Sequence, residues 1–464
     1  MTVHTILTNR GYSILKDSIP PQQLKTLKKQ LTLQPKHHPD YIAVPLSVYQ
    51  ETESFLRIPR SYGIKNFGSP KKSCLESHKM KPNVKFTGQL RPNQEELVET
   101  IMNDIYTDKT GLISLYTGFG KSILALYLMA QLGEKTIIVV HKRELLNQWL
   151  AVIDKFMTNI KVGIISSSKR KLTGDEDVII IMLQTLVSIA KNDLLYTVLL
   201  DRFNHGLTII DEVHHCPAET FSQVFFLIQS LYMIGLSASI ERKDGLTQAL
   251  YWHLGKVIIH KEPERHGQQG IIYKWEYPDD YHPLEKKLYS QLISKICQDA
   301  KRTQYIADVV SEFLNEQIVN SHQVLVLSDR IIQLETLKRH LDNQIPNRKT
   351  DLFVGGMKLE KFIHSDIILS TYSMFSEGLS LDTLNMIVFA SPKKDIVQPL
   401  GRILRKHHQN NPVVFDFVDD ILSNQFRERQ KMYKKEFCNK IIIKTGRFSD
   451  DDSVEKKYMA TIDN

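Results

Sequence analysis

The sequence predicts an α/β chain: two tandem domains, each a parallel sheet with helices on both faces, preceded by a small α+β segment. Three observations carry this. From about residue 84, apolar runs of strand length alternate with helical patterns, at 111–116, 136–140, 162–165, 178–182, 207–210 and 232–236. Strands separated by helices imply a parallel sheet covered on both faces. The series begins again near Gln304, with runs at 324–327, 351–354, 367–369, 386–389 and 413–417, so the architecture occurs twice. Third, a Gly-Lys-Ser turn falls between an apolar run and a helical pattern. That order lets backbone N–H groups and a helix N-terminus surround a phosphate chain.

The 464 residues suffice for several domains at roughly 100–200 residues each. An apolar fraction of 42% with 24% charged residues is that of a folded, water-soluble chain. The net charge of +8 permits a polyanionic partner without requiring one. Cys74, Cys216, Cys297 and Cys438 are scattered, with no Cys-x-x-Cys. That argues against a disulfide framework, a zinc site or an iron–sulfur cluster, and for a reducing compartment. No signal-peptide pattern opens the chain and no apolar run is long enough to span a bilayer, so the expectation is a soluble intracellular protein without membrane contact.

Taken in order, residues 1–85 read as an N-terminal accessory domain and linker. Pro20 and Pro21 open a short basic helix at 19–29, and 41–49 and 54–62 read as strands. The lysine- and proline-bearing stretch 69–81 is either a solvated linker or a contact to phosphates. Residues 86–265 hold the first α/β domain, 266–440 the second, and 441–464 a polar tail.

The chemistry sits in the first domain. Gly118 and Gly120 let the backbone approach a phosphate chain, Lys121 places a point charge on it, and Ser122 offers a hydroxyl to Mg²⁺. The generic phosphate loop opens on a glycine where Leu115 stands here. The run at 207–210 ends in Asp211-Glu212, two carboxylates at a strand's C-terminal end, where ligands bind in open α/β sheets. Asp211 can hold Mg²⁺ and Glu212 can accept a proton from an attacking water. His214-His215 is an alternative metal pair, disfavoured because neighbours on an extended chain face opposite ways.

In this order the motifs resemble those of superfamily 2 helicases and translocases of the DExH group, whose fold is two tandem RecA-like P-loop domains. Gln89-Leu-Arg-Pro-Asn-Gln is similar to the family's glutamine motif, which implies Arg91 near the nucleotide and Gln94 as the adenine reader. Thr117, Gly118, Phe119, Gly120, Lys121 and Ser122 form motif I, and Asp211-Glu-Val-His motif II. Val140-His-Lys-Arg-Glu-Leu-Leu-Asn-Gln-Trp is similar to motif Ia and Met182-Leu-Gln-Thr-Leu to motif Ic. They imply nucleic-acid contacts at His141, Lys142, Arg143, Gln148, Gln184 and Thr185. Ser237, Ala238 and Ser239 form motif III and imply coupling between ATP and polymer, with Ser239 keeping the hydroxyl of the usual threonine.

Val324-Leu-Val-Leu-Ser-Asp-Arg resembles motif IV. Motif V implies Thr371 on nucleic acid and Glu377 and Gly378 on ATP. Motif VI sets Gln398, Arg402 and Arg405 on one helix face, the arginines as fingers for the γ-phosphate. The implied activity is a nucleic-acid-dependent ATPase using ATP and Mg²⁺.

Asn147-Gln-Trp and Glu241-Arg-Lys-Asp-Gly narrow the resemblance to XPB/UvsW-type translocases and the poxvirus transcript-release helicase. This implies a monomer acting on DNA with 3′-to-5′ polarity, in viral transcription or DNA repair and recombination. Transcription or replication machinery would be its partner, in virion or host cytoplasm. The alternatives are an RNA helicase, the motor subunit of a restriction-type nuclease, and a scaffold without catalysis. Trp252, Trp275 and Phe86 read as core, with base stacking as the other use.

Overall fold

The computed structural model describes residues 3–35, 45–116, 118–166, 172–190, 203–215, 224–241, 245–262, 269–281, 288–316, 323–355, 357, 362, 364–376, 383–404 and 410–447, with the backbone alone at 190, 215 and 402. The chain divides into two compact units, Met1–Glu262 and Pro263–Asn464. Among the described residues, no helix is long and apolar enough to cross a membrane.

Unit 1 opens with β1 (Thr5–Thr8), β2 (Gly11–Leu15), α1 (Pro21–Gln30), β3 (Gln50–Glu51), β4 (Phe55–Ile58), α2 (Arg60–Phe67) and β5 (Lys72–Ser73). Its small sheet runs β3-β4-β2-β1-β5, antiparallel except for the β1–β5 pair. The strand expected over 54–62 stops at Ile58, because Pro59 (φ −55) turns the chain into α2. Of the strand expected over 41–49, residues 41–44 lie outside the described set, and a two-residue strand, Leu46–Ser47, falls in the rest.

The large sheet of unit 1 is built from α3 (Pro92–Asp108), β6 (Thr110–Leu115), α4 (Lys121–Leu132), β7 (Thr136–Val140), α5 (Arg143–Phe156), β8 (Val162–Ile165), β9 (Val178–Met182), α6 (Leu183–Ala190), β10 (Leu207–Ile210), β11 (Tyr232–Ser237), α7 (Thr247–Leu254) and β12 (Val257–Lys261). Its seven strands are all parallel, in the order β8-β9-β7-β10-β11-β6-β12. β7, β10 and β11 are buried along their whole length, which is why they read as mostly apolar runs rather than alternating ones. Apolar clusters cover both faces. Parallel strands share one C-terminal edge, so the residues that follow β6, β7, β9, β10 and β11 gather there. The phosphate-loop strand β6 and the Asp-Glu strand β10 are not neighbours; β11 lies between them.

The N-terminal sheet is seated on this domain. Arg60, almost fully buried, donates to Ser230 O at 2.8 Å and Leu231 O at 3.3 Å, just before β11. Tyr62 meets the edge of Trp252 on α7 at 5.4 Å. His253, next on α7, stacks on Phe225 at 4.6 Å and meets the edge of Phe226 at 5.1 Å.

Unit 2 repeats the pattern with β13 (Gly270–Tyr277), α8 (Tyr289–Gln298), α9 (Ala300–Glu316), β14 (Gln323–Ser328), α10 (Ile331–Gln344), β15 (Thr350–Phe353), β16 (Ile367–Thr371), α11 (Tyr372–Ser376), β17 (Leu384–Phe389), α12 (Val397–Ile403), β18 (Val413–Asp419), α13 (Ser423–Glu436) and β19 (Ile441–Arg447). The parallel order is β15-β16-β14-β17-β18-β13-β19. The tail expected from 441 is corrected here: Ile441–Arg447 forms the edge strand beside β13. β13 itself was not among the expected runs, because Lys274 and Glu276 interrupt its apolar residues.

Two arginines are buried on β18: Arg302 pairs with Asp419, and Arg429 donates to both oxygens of Asp416 at 2.8 Å. Trp275 packs in the core of unit 2 and Phe86 against that of unit 1, as the core reading has them.

Candidate active site

The loop between β6 and α4 is shaped by two glycines with φ near +93°, Gly118 and Gly120. Gly120 caps α4, and a Cβ there would stand 2.5 Å from Gln94 Nε2. Both the left-handed backbone and the close approach exclude a side chain. Gln94 comes from the first turn of α3 and is 1% exposed. Its Nε2 donates to Phe119 O at 3.0 Å and Gly120 O at 3.3 Å, and its Oε1 accepts the Arg91 N–H at 2.9 Å. The residue expected to read adenine therefore also braces the loop, and both its amide protons are engaged; one Oε1 lone pair remains for an exocyclic amine. Arg91 reaches back to Gly118 O at 3.4 Å. Thr117 lies outside the described residues.

Lys121 begins α4 and turns its Nζ back toward the strand end. It donates to Leu115 O at 3.1 Å and lies 3.6 Å from Glu212 Oε1. Leu115, where the generic glycine is missing, thus supplies a carbonyl and a buried side chain at the end of β6. Ser122 is half-buried in the first turn of α4.

Asp211 follows β10 and is 5% exposed. Its Oδ2 accepts Trp149 Nε1–H at 2.8 Å and its Oδ1 the Glu212 N–H at 2.9 Å. Burial, and then the charge of Glu212, push its carboxyl above the ordinary carboxylate range. Glu212 sits at φ +46, a left-handed turn that swings its side chain off the strand direction. Its Oε2 is buried without a hydrogen-bond partner. The carboxylates of buried Asp211 and half-buried Glu212, with Glu212 Oε2 unsatisfied, are oxygen donors of the kind Mg²⁺ takes.

Motif III closes the site. The Ser237 hydroxyl donates to Ser239 O and accepts the Ser239 N–H at 3.1 Å. With its own proton committed, it accepts from His214 Nδ1 at 2.6 Å, and that nitrogen lies 3.5 Å from Glu212 Oε2. His214 therefore lies between the Glu212 carboxylate and β11. Ser239, expected to carry the working hydroxyl, has an exposed side chain and contributes backbone; Ser237 does the bonding. Ala238 is half-buried between them.

The segments after β7 and β9 emerge at the same edge. Arg143 and Gln148 are exposed on α5, and His141 and Lys142 are half-buried ahead of it. Exposed Gln184 donates to His141 O at 2.9 Å, tying the two segments together. Thr185 is buried, so the structure presents Gln184 and not Thr185 at the surface.

In unit 2, Thr371 ends β16 with its hydroxyl 3.1 Å from Ser373 Oγ, accepting the Met374 N–H at 3.3 Å. Gln398 is exposed in the first turn of α12, and the backbone of Arg402 lies on the same helix. Glu377, Gly378 and Arg405 lie outside the described residues.

Sequence reasoning missed Trp149 as a partner of Asp211. The signal available was its place at i+3 from Leu146 and i−4 from Ile153 on the buried face of α5, since a buried indole N–H needs an acceptor.

Residues 87–242 match the family described as type III restriction enzyme, res subunit. A protein of Acanthamoeba polyphaga mimivirus named an ATP-dependent RNA helicase is 29% identical over 483 residues, covering 98% of this chain and 89% of that protein. This chain resembles superfamily 2 helicases and is a helicase-type ATPase. A helicase of Invertebrate iridescent virus 6 is 28% identical to it over 385 residues, 76% of this chain and 82% of that one. Among solved structures, the ATP-dependent type ISP restriction-modification enzyme LlaBIII bound to DNA shares the fold, with a TM-score of 0.54 at 14% identity over 80% of the helicase and 32% of that chain. The two seven-stranded sheets of the helicase are its tandem RecA-like domains.

Proposed function

We propose that this helicase-type ATPase works on DNA, stepping 3′-to-5′ along a strand in viral transcription or in DNA repair and recombination. The observation that carries the reading is the meeting of the phosphate loop, Asp211-Glu212 and Ser237 at one sheet edge, beside the segments that follow β7 and β9. Lys121 then binds the β- and γ-phosphates, and Ser122 and Asp211 hold Mg²⁺. The metal these two residues would hold would supply positive charge against that developing on the phosphate oxygens. Glu212 takes the proton of the attacking water, and its contact with His214 passes the state of the site to Ser237 and β11. Arg402 and Arg405 of unit 2 act as the arginine fingers. An arginine finger is worth about 10³–10⁵ in rate, so replacing either arginine should cost that much hydrolysis. His141, Lys142, Arg143, Gln148, Gln184 and Thr371 grip the polymer through its phosphates.

The DNA assignment rests on the Asn147-Gln148-Trp149 resemblance to DNA translocases; the name of the mimivirus relative favours RNA as the second reading. ATPase stimulation and strand displacement across single-stranded, duplex and forked DNA, RNA and DNA–RNA hybrid decide between them. Stimulation by DNA, with displacement from 3′-tailed forks, is expected. Stimulation by RNA alone refutes the DNA reading, and stimulation by no polymer refutes the motor.

A further inference from the structure

Trp149 is fully buried on the inner face of α5, and its indole N–H points at the carboxylate after β10. Indole has one donor and no acceptor, so at 2.8 Å the bond to Asp211 Oδ2 has a fixed direction. The other oxygen is held by the Glu212 N–H at 2.9 Å. One donor on each oxygen fixes the plane of the carboxylate, and bonds to an ionised acceptor are the stronger kind. Leu146 and Ile153 flank Trp149 on the same buried stripe, so the indole moves with the helix.

The outer face of the same helix exposes Arg143 and Gln148. Arg143 stands six residues before Trp149, which is about 9 Å along a helix axis. One rigid helix therefore carries polymer-facing side chains on its outside and a donor to Asp211 on its inside. A slide of under an ångström along the bond takes a 2.8 Å contact out of hydrogen-bonding range.

We propose that Trp149 is a positioning residue: it sets the orientation of Asp211 for the Mg²⁺–nucleotide, and through it nucleic acid bound on α5 tunes the ATP site. The inference rests on the reading of Asp211 as a Mg²⁺ ligand and of the outer face of α5 as a polymer contact. Trp149 touches neither substrate. Its effect runs through one carboxylate, by a route separate from the His214–Ser237 link.

The test uses the full chain with Trp149→Phe, which keeps an aromatic ring and removes the donor. Equilibrium binding of a fluorescent ADP analogue is measured with Mg²⁺ titrated in and in excess EDTA. Affinity in EDTA should stay within about twofold of wild type, whereas the Mg²⁺ half-saturation should rise about tenfold, as losing a hydrogen bond to a charged group implies. Stimulation of the ATPase by polymer should fall while polymer binding itself holds. A Mg²⁺ half-saturation equal to that of wild type overturns the positioning role, and unchanged stimulation overturns the transmission. Asp211→Asn runs in parallel: if it too leaves the Mg²⁺ dependence untouched, the reading of Asp211 as ligand has failed instead. A second measurement needs no substitution. The chain has three tryptophans, and ¹⁵N-indole labelling gives each an N–H resonance. One should move when Mg²⁺–ADP is added beyond its response to ADP in EDTA, and none moving overturns the proposal.

Discussion

His253 should make the stability of unit 1 fall with acid, and replacing it should remove that fall. The ring is fully buried between Phe225 and Phe226, and neither nitrogen has a hydrogen-bond partner. Burial alone drives its pKa down from 6.5 to about 3. Unfolded, the ring takes its proton below 6.5; folded, it resists until about 3. The unfolded state thus binds more protons across that window, and stability drops as pH falls through it. The cost is about 2 kcal/mol at pH 5 and close to nothing at pH 7, so this one residue removes roughly 2 kcal/mol between them. Asp211, with its raised pKa, acts with the opposite sign, gaining stability as pH falls. Comparing wild type with His253→Phe cancels that and every other shared titration. Phenylalanine suits the two aromatic neighbours, and any packing strain it adds is the same at both pH values. Urea denaturation at pH 7 and pH 5 should show wild type losing roughly 2 kcal/mol more than the variant. An equal loss in both proteins refutes the picture of a neutral, unpartnered histidine.

Glu212→Gln should lower the ATPase rate by about 10²–10⁴ with ATP binding kept, read by single-turnover hydrolysis beside equilibrium binding. Gly120→Ala should cost about 1–2 kcal/mol for the left-handed backbone, and should also push Gln94 off the carbonyls of Phe119 and Gly120. A lowered Tm together with ATP affinity weakened tenfold or more is the expected result. Arg429→Met strands Asp416 in the core with the Tyr433 hydroxyl as its remaining side-chain donor at 2.6 Å, costing about 3–5 kcal/mol in denaturant unfolding. Adding Asp416→Asn should return part of that loss, because the buried charge goes with it.

The candidate site was legible where its residues are contiguous. Gly118 to Ser122 and Asp211-Glu212 each declare a strand end followed by a turn, and β6 and β10 put them at one edge. What those residues bond to was not legible. Gln94 was readable as a nucleotide contact, but its grip on the loop depends on α3 lying against Gly120. His214 read as half of a doubtful metal pair, and only the adjacency of β10 and β11 turns it toward Ser237. Within the fold, strands buried on both faces stood out as apolar runs, whereas β13, with Lys274 and Glu276, and the part-exposed β19 did not. The burial of Arg302 and Arg429 has no local mark in the sequence, since each carboxylate partner lies elsewhere along the chain.

The place of β13 has a mechanical consequence. The covalent path from unit 1 enters unit 2 at this strand, so tension passed along the chain arrives at its N-terminal end. β13 is clamped on both sides, by β18 in register from Ile271 to Tyr277 and by β19 from Gly270 to Glu276. Both neighbours run parallel to it, so a pull along the strand loads two ladders in shear, their bonds resisting together rather than parting one after another. The strand Ile441–Arg447 supplies one of those two ladders. A polar-looking C-terminal segment thus serves as a splint along the first strand of unit 2.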